Sequence, residues 1–464
     1  MNQTEQITEN PLGTEPVRGM MLKFAIPSII GMLVAALYNI VDQLFIGNYV
    51  GELGNGATNI AFPFTTACLS LSLLFGIGGA SCFNLSMGKE EYDKAPYFIG
   101  NALGMLVKFG LVITLITELF LTPLLNFFGA SENILPYAQE YVRVTAIGFP
   151  FLMLTTGGGH LVRADGSPRM AMICNITGAI INTCLDALFV IVFGWGMFGA
   201  ALATVIGQIV SAIIVIRYCM HYKTVKLEAK HFKTSVSYIM QIAAVGMGSF
   251  FNQVAMMVVQ ILLNNQLKKY GSQSPYGEDI PLAVAGIVMK VAQIFFSVVI
   301  GIAQGTQPIE SFNYGARKYD RVREAYKLAI IYSGIISLIA FALFQLVPRG
   351  ILNLFGRENS ELYYEFGISY FRVFLFFICL NFIQPITSTF FTSIGKAFKG
   401  AILSLTRQII FLIPLMLILP LSMGIDGILY AGPISDSLAI IANVAMAIVE
   451  FKLMKKLENQ GPKE

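Results

Sequence analysis

The sequence predicts an all-α membrane protein with twelve transmembrane helices in two pseudo-symmetric six-helix lobes. Three observations support this prediction: an apolar composition, a series of long apolar segments, and an internal repeat. Of the 464 residues, 55% are hydrophobic and only 12% are charged, whereas soluble domains are about 25% charged. This small number of charged residues cannot cover the surface of a soluble protein of this size. A multi-pass membrane protein is therefore expected.

Long apolar segments recur along the whole chain. A helix needs about 20 mainly apolar residues to cross a bilayer. Segments of sufficient length occur twelve times, separated by polar or turn-forming residues. The predicted spans are 22–47, 55–86, 95–122, 138–160, 169–193, 197–220, 234–267, 280–307, 325–347, 361–390, 397–421 and 426–451.

Basic residues are distributed unequally between the two faces of the predicted membrane. If the spans alternate from a cytoplasmic N-terminus, 22 of the 31 Lys and Arg residues lie on the cytoplasmic side, four lie outside and five lie within spans. The positive-inside rule therefore places both termini in the cytoplasm. The external residues are Lys268, Lys269, Arg349 and Arg357, and those in spans are Lys108, Arg143, Lys290, Arg372 and Arg407.

Three glycine-containing motifs recur at offsets of 227 to 229 residues. The pairs are SMGKE and NYGARK around Gly88 and Gly315, RADGSP and TSIGKA around Gly166 and Gly395, and GMFG and GIDG at 196–199 and 424–427. The repeat predicts an N-terminal lobe of residues 1–228 and a C-terminal lobe of residues 229–464. Two halves with an even number of spans are parallel repeats, an arrangement typical of transporters that hold their substrate between the halves.

Two carboxylates lie within predicted spans of the first half. Because a buried charge is costly in a bilayer, Asp42 and Asp186 are candidate functional residues. Together with Thr204 they lie ~7–11 Å below the outer surface, at ~1.5 Å per residue, and Asn182 lies one turn before Asp186. These oxygens fit Na⁺, and two neighbouring carboxyls could equally hold a proton. In the alternative interpretation, the Asp42 side chain extends outward to the membrane–water interface, and the Thr204 hydroxyl hydrogen-bonds to the backbone of its own helix.

The second half differs because basic side chains lie near its mid-membrane level. Lys290, Arg372 and Arg407 are too deep to reach water easily, and Asp436 is the acid at similar depth. We expect Arg407 and Asp436 to form a structural ion pair, since buried pairs often fix geometry. The alternative is that unpaired positive charge excludes a cationic substrate and admits an anionic or zwitterionic one.

Five segments together resemble the multidrug and toxic compound extrusion (MATE) family, in detail its bacterial MepA-type branch, over roughly residues 20–455. Those segments are YNIVDQLFIGNYVG (38–51), GIGGASCFNLSMGKE (76–90), LVRADGSPRMAMICNITGAIINTCLDALFV (161–190), GWGMFGAALATVIGQ (194–208) and GIAQGTQPIESFNYGARK (301–318).

The resemblance implies a two-lobe antiporter in the bacterial cytoplasmic membrane. Such proteins expel amphipathic, often cationic drugs in exchange for Na⁺ or H⁺. The resemblance assigns Asp42, Asn182, Asp186 and Thr204 to the cation site of the first lobe. The second lobe carries amides where some members have acids, which argues against a second cation site there. The candidate residues of the substrate cleft are Tyr38, Met153, Met256, Met289, Lys290, Gln293 and Arg372.

The expected partners are small-molecule drugs and the lipid bilayer, without nucleic acid. We expect a monomer with no cofactor and no metal beyond the coupling ion. One alternative is a flippase or exporter of lipid-linked or anionic compounds with the same broad fold. Another is an intramembrane enzyme, which the sequence argues against because it lacks a DDxxD motif and a His near an intramembrane Ser. The absence of a P-loop motif disfavours ATP-driven pumping.

Overall fold

The computed structural model describes residues 10–355 and 360–459, and all regular secondary structure in these ranges is helical. Arg357, expected outside the membrane, is not among the described residues. The first lobe contains α1 (Val17–Tyr49), α2 (Glu52–Gly88), α3 (Ala95–Leu119), α4 (Leu135–Ala164), α5 (Pro168–Val192) and α6 (Gly196–Cys219). The second contains α7 (Val236–Gly271), α8 (Asp279–Gly315), α9 (Tyr319–Leu346), α10 (Glu361–Phe374 and Ile378–Ser393), α11 (Phe398–Met423) and α12 (Ile425–Asn459).

All twelve helices are long enough to cross a membrane, and eleven of them are also apolar enough. Ten are long and apolar enough individually, and the two parts of α10, bent by 42° at their junction, make an eleventh span. The twelfth, α4, has 30 residues and is therefore ~45 Å long. It packs between α2, α3 and α6, although Glu140, Arg143 and a glycine-rich stretch lower its hydropathy. The predicted fold class is confirmed.

The repeated glycines mark equivalent turns and contacts in the two lobes. Gly166 and Gly395 both follow the end of a helix and have φ angles of 75° and 76°, a conformation that favours glycine. Gly88 and Gly315 meet where α2 crosses α8. A Cβ atom on Gly88 would lie 2.1 Å from the backbone oxygen of Phe312, so only glycine permits this approach.

Two equivalent helix pairs join the lobes: α1 packs on α8, and α2 packs on α7. The backbones touch at glycines in both pairs. A Cβ on Gly305 of α8 would lie 2.6 Å from Ala25 Cα, and one on Gly246 of α7 would lie 1.9 Å from Leu74 O. Small residues allow such close helix packing in membranes.

These contacts all lie at the end of the bundle that holds the start of α1 and the loop between the lobes. The final turns of α8, residues 301–315, are almost entirely buried there. At the opposite end, residues 33–45 of α1 are mostly half-buried or exposed. The lobes are therefore closed together at the basic end and separated at the other.

A short helix before α1, Pro11–Thr14, reinforces the closed end. Side chains of the second lobe hold its backbone: Asn313 Nδ2 donates to Leu12 O at 2.8 Å, and Arg321 Nη2 donates to Glu15 O at 2.5 Å. Lys318 Nζ donates to Gly13 O at 2.9 Å. The segment that begins the first lobe is thus attached to the second.

The loop that joins the lobes, residues 220–235, is anchored to the first lobe. The buried Asp165 carboxylate accepts hydrogen bonds from Lys223 N at 2.7 Å and Thr224 Oγ1 at 2.6 Å. Ser235 N donates to Asn101 Oδ1 at 2.9 Å. The predicted division between residues 228 and 229 falls within this loop, and it stays a prediction.

Candidate ion and substrate sites

The two acidic residues predicted in the first lobe face each other. Asp186 of α5 is fully buried, and it lies where the α-helix gives way to a π-helical turn, Ala187–Val192. Such turns are frequent at functional sites. Asp42 of α1 brings its carboxyl within hydrogen-bonding reach of Asp186. Two carboxylates at this separation repel each other unless a proton or another cation lies between them.

Asn182 and Thr204 complete this cluster from α5 and α6. Asn182 lies near the Asp186 carboxyl, but its Nδ2 donates to Thr204 Oγ1 at 3.2 Å. Four oxygens are consequently buried without a hydrogen-bond donor among the described residues: Asp42 Oδ1, Asn182 Oδ1, Asp186 Oδ1 and Asp186 Oδ2. Buried acceptors are normally satisfied. Oxygens alone suit a hard cation or, at the carboxyls, a proton.

The cluster supplies two carboxyls, one amide and one hydroxyl. In the described parts of the chain, no group of three or more His, Cys, Asp or Glu side chains could hold a metal ion. Two carboxylates, an amide and a hydroxyl carry at most two negative charges. The arrangement can therefore bind a monovalent cation or exchange a proton.

Two tyrosines adjoin the carboxyls. Tyr38, predicted in the substrate cleft, lies near both Asp42 and Asp186, one turn from Asp42 on α1. Tyr141 of α4 also lies near both acids, and sequence reasoning missed it. The depth of Tyr141 in the membrane was the available signal. Tyr141 lies six residues from the outer end of α4, and Asp42 lies seven residues from the outer end of α1, so the two residues are at similar depth.

A separate cavity of about 480 Å³ opens between α1, α2 and α8 on the side where the lobes part. Its charged lining residue is Lys290, which is half-buried. The polar lining is completed by amides and one hydroxyl, Gln43, Asn48, Asn55, Thr58 and Asn59. No carboxylate is among the residues that line this cavity.

The other predicted cleft residues lie in different surroundings. Met289 and Gln293 lie on either side of Lys290 along α8. Met289 is half-buried, whereas Gln293 and Met256 of α7 are exposed. Met153 is fully buried in the core of the first lobe, because α4 is enclosed by its neighbours. The structure therefore places Met153 in packed protein and not in a cleft.

Arg372 also lies away from the Lys290 cavity. Its Nε donates to Gln345 O of α9 at 3.2 Å. Arg372 lines a groove of about 350 Å³ between α10 and α12. The other residues that line it belong to α10, including the turn between its two parts, and to α12. The π-helical turn Tyr370–Phe374 directs Arg372 to this flank of the second lobe. Arg372 and Lys290 thus do not share a cavity.

Arg407 and Asp436, predicted as a structural pair, lie in contact. Arg407 Nε donates to Asp436 Oδ1 at 2.5 Å, and Asn381 Nδ2 donates to Asp436 Oδ2 at 3.1 Å. Both Asp436 oxygens therefore have donors, in contrast to those of Asp186. The network connects α10, α11 and α12 within the second lobe.

This architecture defines a membrane transporter: two equivalent six-helix lobes closed at one end and open at the other, with buried charged sites between helices. The model of the MatE family matches residues 27–188 and 249–418, once in each half. The chain therefore belongs to the MatE family of multidrug efflux transporters, and it is not an enzyme.

Named relatives and solved structures are similar over almost the whole chain. The multidrug export protein MepA of Staphylococcus aureus (strain NCTC 8325 / PS 47) is 25% identical over 435 residues, and that of Staphylococcus haemolyticus (strain JCSC1435) is 24% identical over 438 residues. Both alignments cover 94% of each chain.

Two solved structures share the fold, each with a TM-score of 0.88 over 96% of this chain and 98% of the other. One is described as an outward-facing multidrug resistance MATE family transporter, at 24% identity. The other is a MOP superfamily transporter from Pyrococcus furiosus whose binding pocket is described as having reverse polarity, at 23% identity.

Proposed function

We propose that this protein exports amphipathic compounds across the bacterial cytoplasmic membrane in exchange for Na⁺ or H⁺ bound at the Asp42–Asp186 pair. The observation that supports the proposal is the set of buried acceptor oxygens without donors. A bound cation coordinates these oxygens, and a proton shared between the carboxyls gives two of them a partner; either removes the repulsion between the carboxyls. We assign the basic, closed end to the cytoplasm, so the open end faces outward.

Helix α1 couples the ion site to the lobe interface. It carries Asp42 in its outer half, and Ala25 packs against Gly305 of α8 near its other end. Pro27, between these points, interrupts the hydrogen bonds of α1 and permits bending there. Ion binding that draws α1 toward α5 therefore changes the packing between the lobes. Differential ion affinity for two arrangements couples ion binding to the change between them, and the ion gradient drives the exchange cycle.

Ion-driven transport in proteoliposomes tests this proposal. We expect Asp186→Asn to reduce export driven by a Na⁺ or pH gradient about tenfold or more, because only one carboxylate remains to couple the ion. The matched control is Asp426→Asn, since Asp426 is exposed at the start of α12. Normal ion-driven export by a folded Asp186→Asn variant would refute the coupling role. Varying the Na⁺ and pH gradients separately identifies the ion.

A second candidate is an exporter of anionic compounds. One observation favours it: the cavity that is open to the outer side contains Lys290 and no carboxylate. This candidate keeps the same ion site and the same exchange cycle. It differs from the export of cationic drugs only in the charge of the compound.

A further inference from the structure

We infer that the cavity around Lys290 binds the anionic group of an amphiphile, and that anionic or zwitterionic amphiphiles are the compounds this transporter exports. The part of the inference that concerns transport rests on the proposed function, whereas the part that concerns binding rests on the cavity alone. The inferred charge of the exported compound differs from the cationic charge expected from the family resemblance.

The first argument is the uncompensated charge of Lys290. Lys290 lies three turns into α8 from Asp279, about 16 Å along the helix. Among the ion pairs of the described residues, none includes Lys290. Of the other two deep basic residues of the second lobe, Arg407 pairs with Asp436, and Arg372 donates to the backbone oxygen of Gln345. An ionisable residue inside a membrane protein is a candidate functional residue, and the ligand that would compensate the charge of Lys290 is an anion.

The second argument is the chemistry of the lining. The amides of Gln43, Asn48, Asn55 and Asn59 line the same cavity as Lys290, and each carries N–H donors. Donors combined with a cation recognise a sulfonate, carboxylate or phosphate. A cationic compound in this cavity would meet Lys290 and no lining carboxylate.

The third argument is that the carboxyl pair does not supply the missing negative charge. Asp186 is fully buried, and neither Asp186 nor Asp42 lines the cavity. The ion site and this cavity are therefore separate but adjacent, because Gln43 directly follows Asp42 on α1. Movement of α1 on ion binding changes both, which provides coupling between the ion and the compound.

Size and apolar surface define the rest of the ligand. The cavity, at about 480 Å³, lies within the range of sites for drug-sized molecules. Leu44 lines it, and the exposed Phe62 lies one turn beyond Asn59 on α2. An amphiphile with a compact anionic group and an apolar body fits this combination.

Equilibrium binding to the purified full chain in dodecyl maltoside tests the site. The probes are radiolabelled taurocholate, an anionic amphiphile, and tetraphenylphosphonium, a cationic one. We expect Lys290→Met to weaken taurocholate binding at least about tenfold, since a charge-assisted contact is lost. Lys290→Arg should retain most of the affinity. Tetraphenylphosphonium binding should not weaken in Lys290→Met.

The matched control is Lys108→Met, because Lys108 lies in α3, away from the cavity, and contacts Thr234. Asn59→Leu, which keeps the charge, should weaken taurocholate binding about threefold or more and guards against misfolding of a Lys290 variant. Equal taurocholate affinity in wild type and Lys290→Met, or no taurocholate binding by the wild type, overturns the inference.

Transport measurements separate this inference from the proposed function. If Lys290-dependent taurocholate binding occurs but no ion gradient drives either probe, the proposed function fails and the binding site stands. If gradients drive tetraphenylphosphonium and not taurocholate, the proposed function stands and the inference fails. If phosphatidylglycerol in nanodiscs competes with taurocholate, the recognised anionic group belongs to a lipid. If it does not compete, the anionic group belongs to a soluble compound.

Discussion

Closure of the lobes depends on glycines at which two backbones touch, and Gly246 provides the sharpest test. A Cβ on Gly246 would lie 1.9 Å from Leu74 O, where ordinary contact begins at 3.4 Å. Gly246→Ala therefore forces α7 and α2 apart by about 1.5 Å, the difference between these distances. Overpacking of this kind costs about 1–3 kcal/mol. The closed arrangement bears the whole cost, because the contact is absent once the lobes separate there.

A free-energy change of about 1–3 kcal/mol changes the ratio of open to closed protein roughly 5- to 150-fold. Cys82 reports the change, because it is 7% exposed on α2 and its Sγ lies 3.8 Å from Gln241 O of α7. In a protein that retains Cys82 as its single cysteine, maleimide labelling from the basic side should accelerate by a factor in this range if labelling tracks the open population.

Gly286→Ala is the control, since a Cβ on Gly286 meets no atom within 4 Å. It should leave Cys82 labelling unchanged. Gly78→Ala should accelerate labelling as Gly246→Ala does, because its Cβ would lie 2.1 Å from Ile242 O. Labelling of a folded Gly246→Ala protein within twofold of its parent would refute the role of this contact in closure.

Three other perturbations have defined outcomes. Arg321→Ala removes contacts to Leu12 O within the helix Pro11–Thr14 and to Glu15 O directly after it, so hydrogen exchange in that helix should accelerate; unchanged exchange would contradict the attachment. Arg407→Leu leaves the buried Asp436 carboxylate with one donor and should cost about 3–5 kcal/mol, whereas Arg407→Leu with Asp436→Leu should recover much of this in a double-mutant cycle of thermal unfolding. Burial raises the pKa of Asp165 above its ordinary value of 3.8, so the folded protein holds this proton more tightly than the unfolded chain. The Tm advantage of wild type over Asp165→Asn should then fall as pH rises from about 4 through the folded pKa; an advantage that grows with pH would contradict this sign.

The open half of the molecule contains ionisable groups of both signs in adjacent sites. The carboxyl pair lies inside the first lobe, and Lys290 lies in the cavity between the lobes. Because α1 contributes to both, a single helix movement can change the affinity for an ion and for a compound. The same helix contacts α8 at the closed end, so that movement also reaches the interface that must open.

The sequence determined the class of this protein and the depth of its charged groups. Hydrocarbon thickness fixes the length of each span, so the twelve helices and the positions of Asp42, Asp186 and Lys290 along them could be predicted from the chain alone. The glycine repeat likewise identified positions that adopt equivalent turns, such as Gly166 and Gly395, since backbone geometry there depends on local residue type.

Only the tertiary structure decided which residues at one depth face each other. Tyr141 adjoins the carboxyl pair, Met153 lies in packed core, and Arg372 lies on an outer flank, although sequence depth alone did not distinguish these outcomes. Depth is a one-dimensional quantity set by the bilayer, whereas the direction in which a side chain points depends on how helices pack. π-helical turns beside Asp186 and around Arg372 also rotate the helix faces locally, and a regular helical period does not predict that rotation.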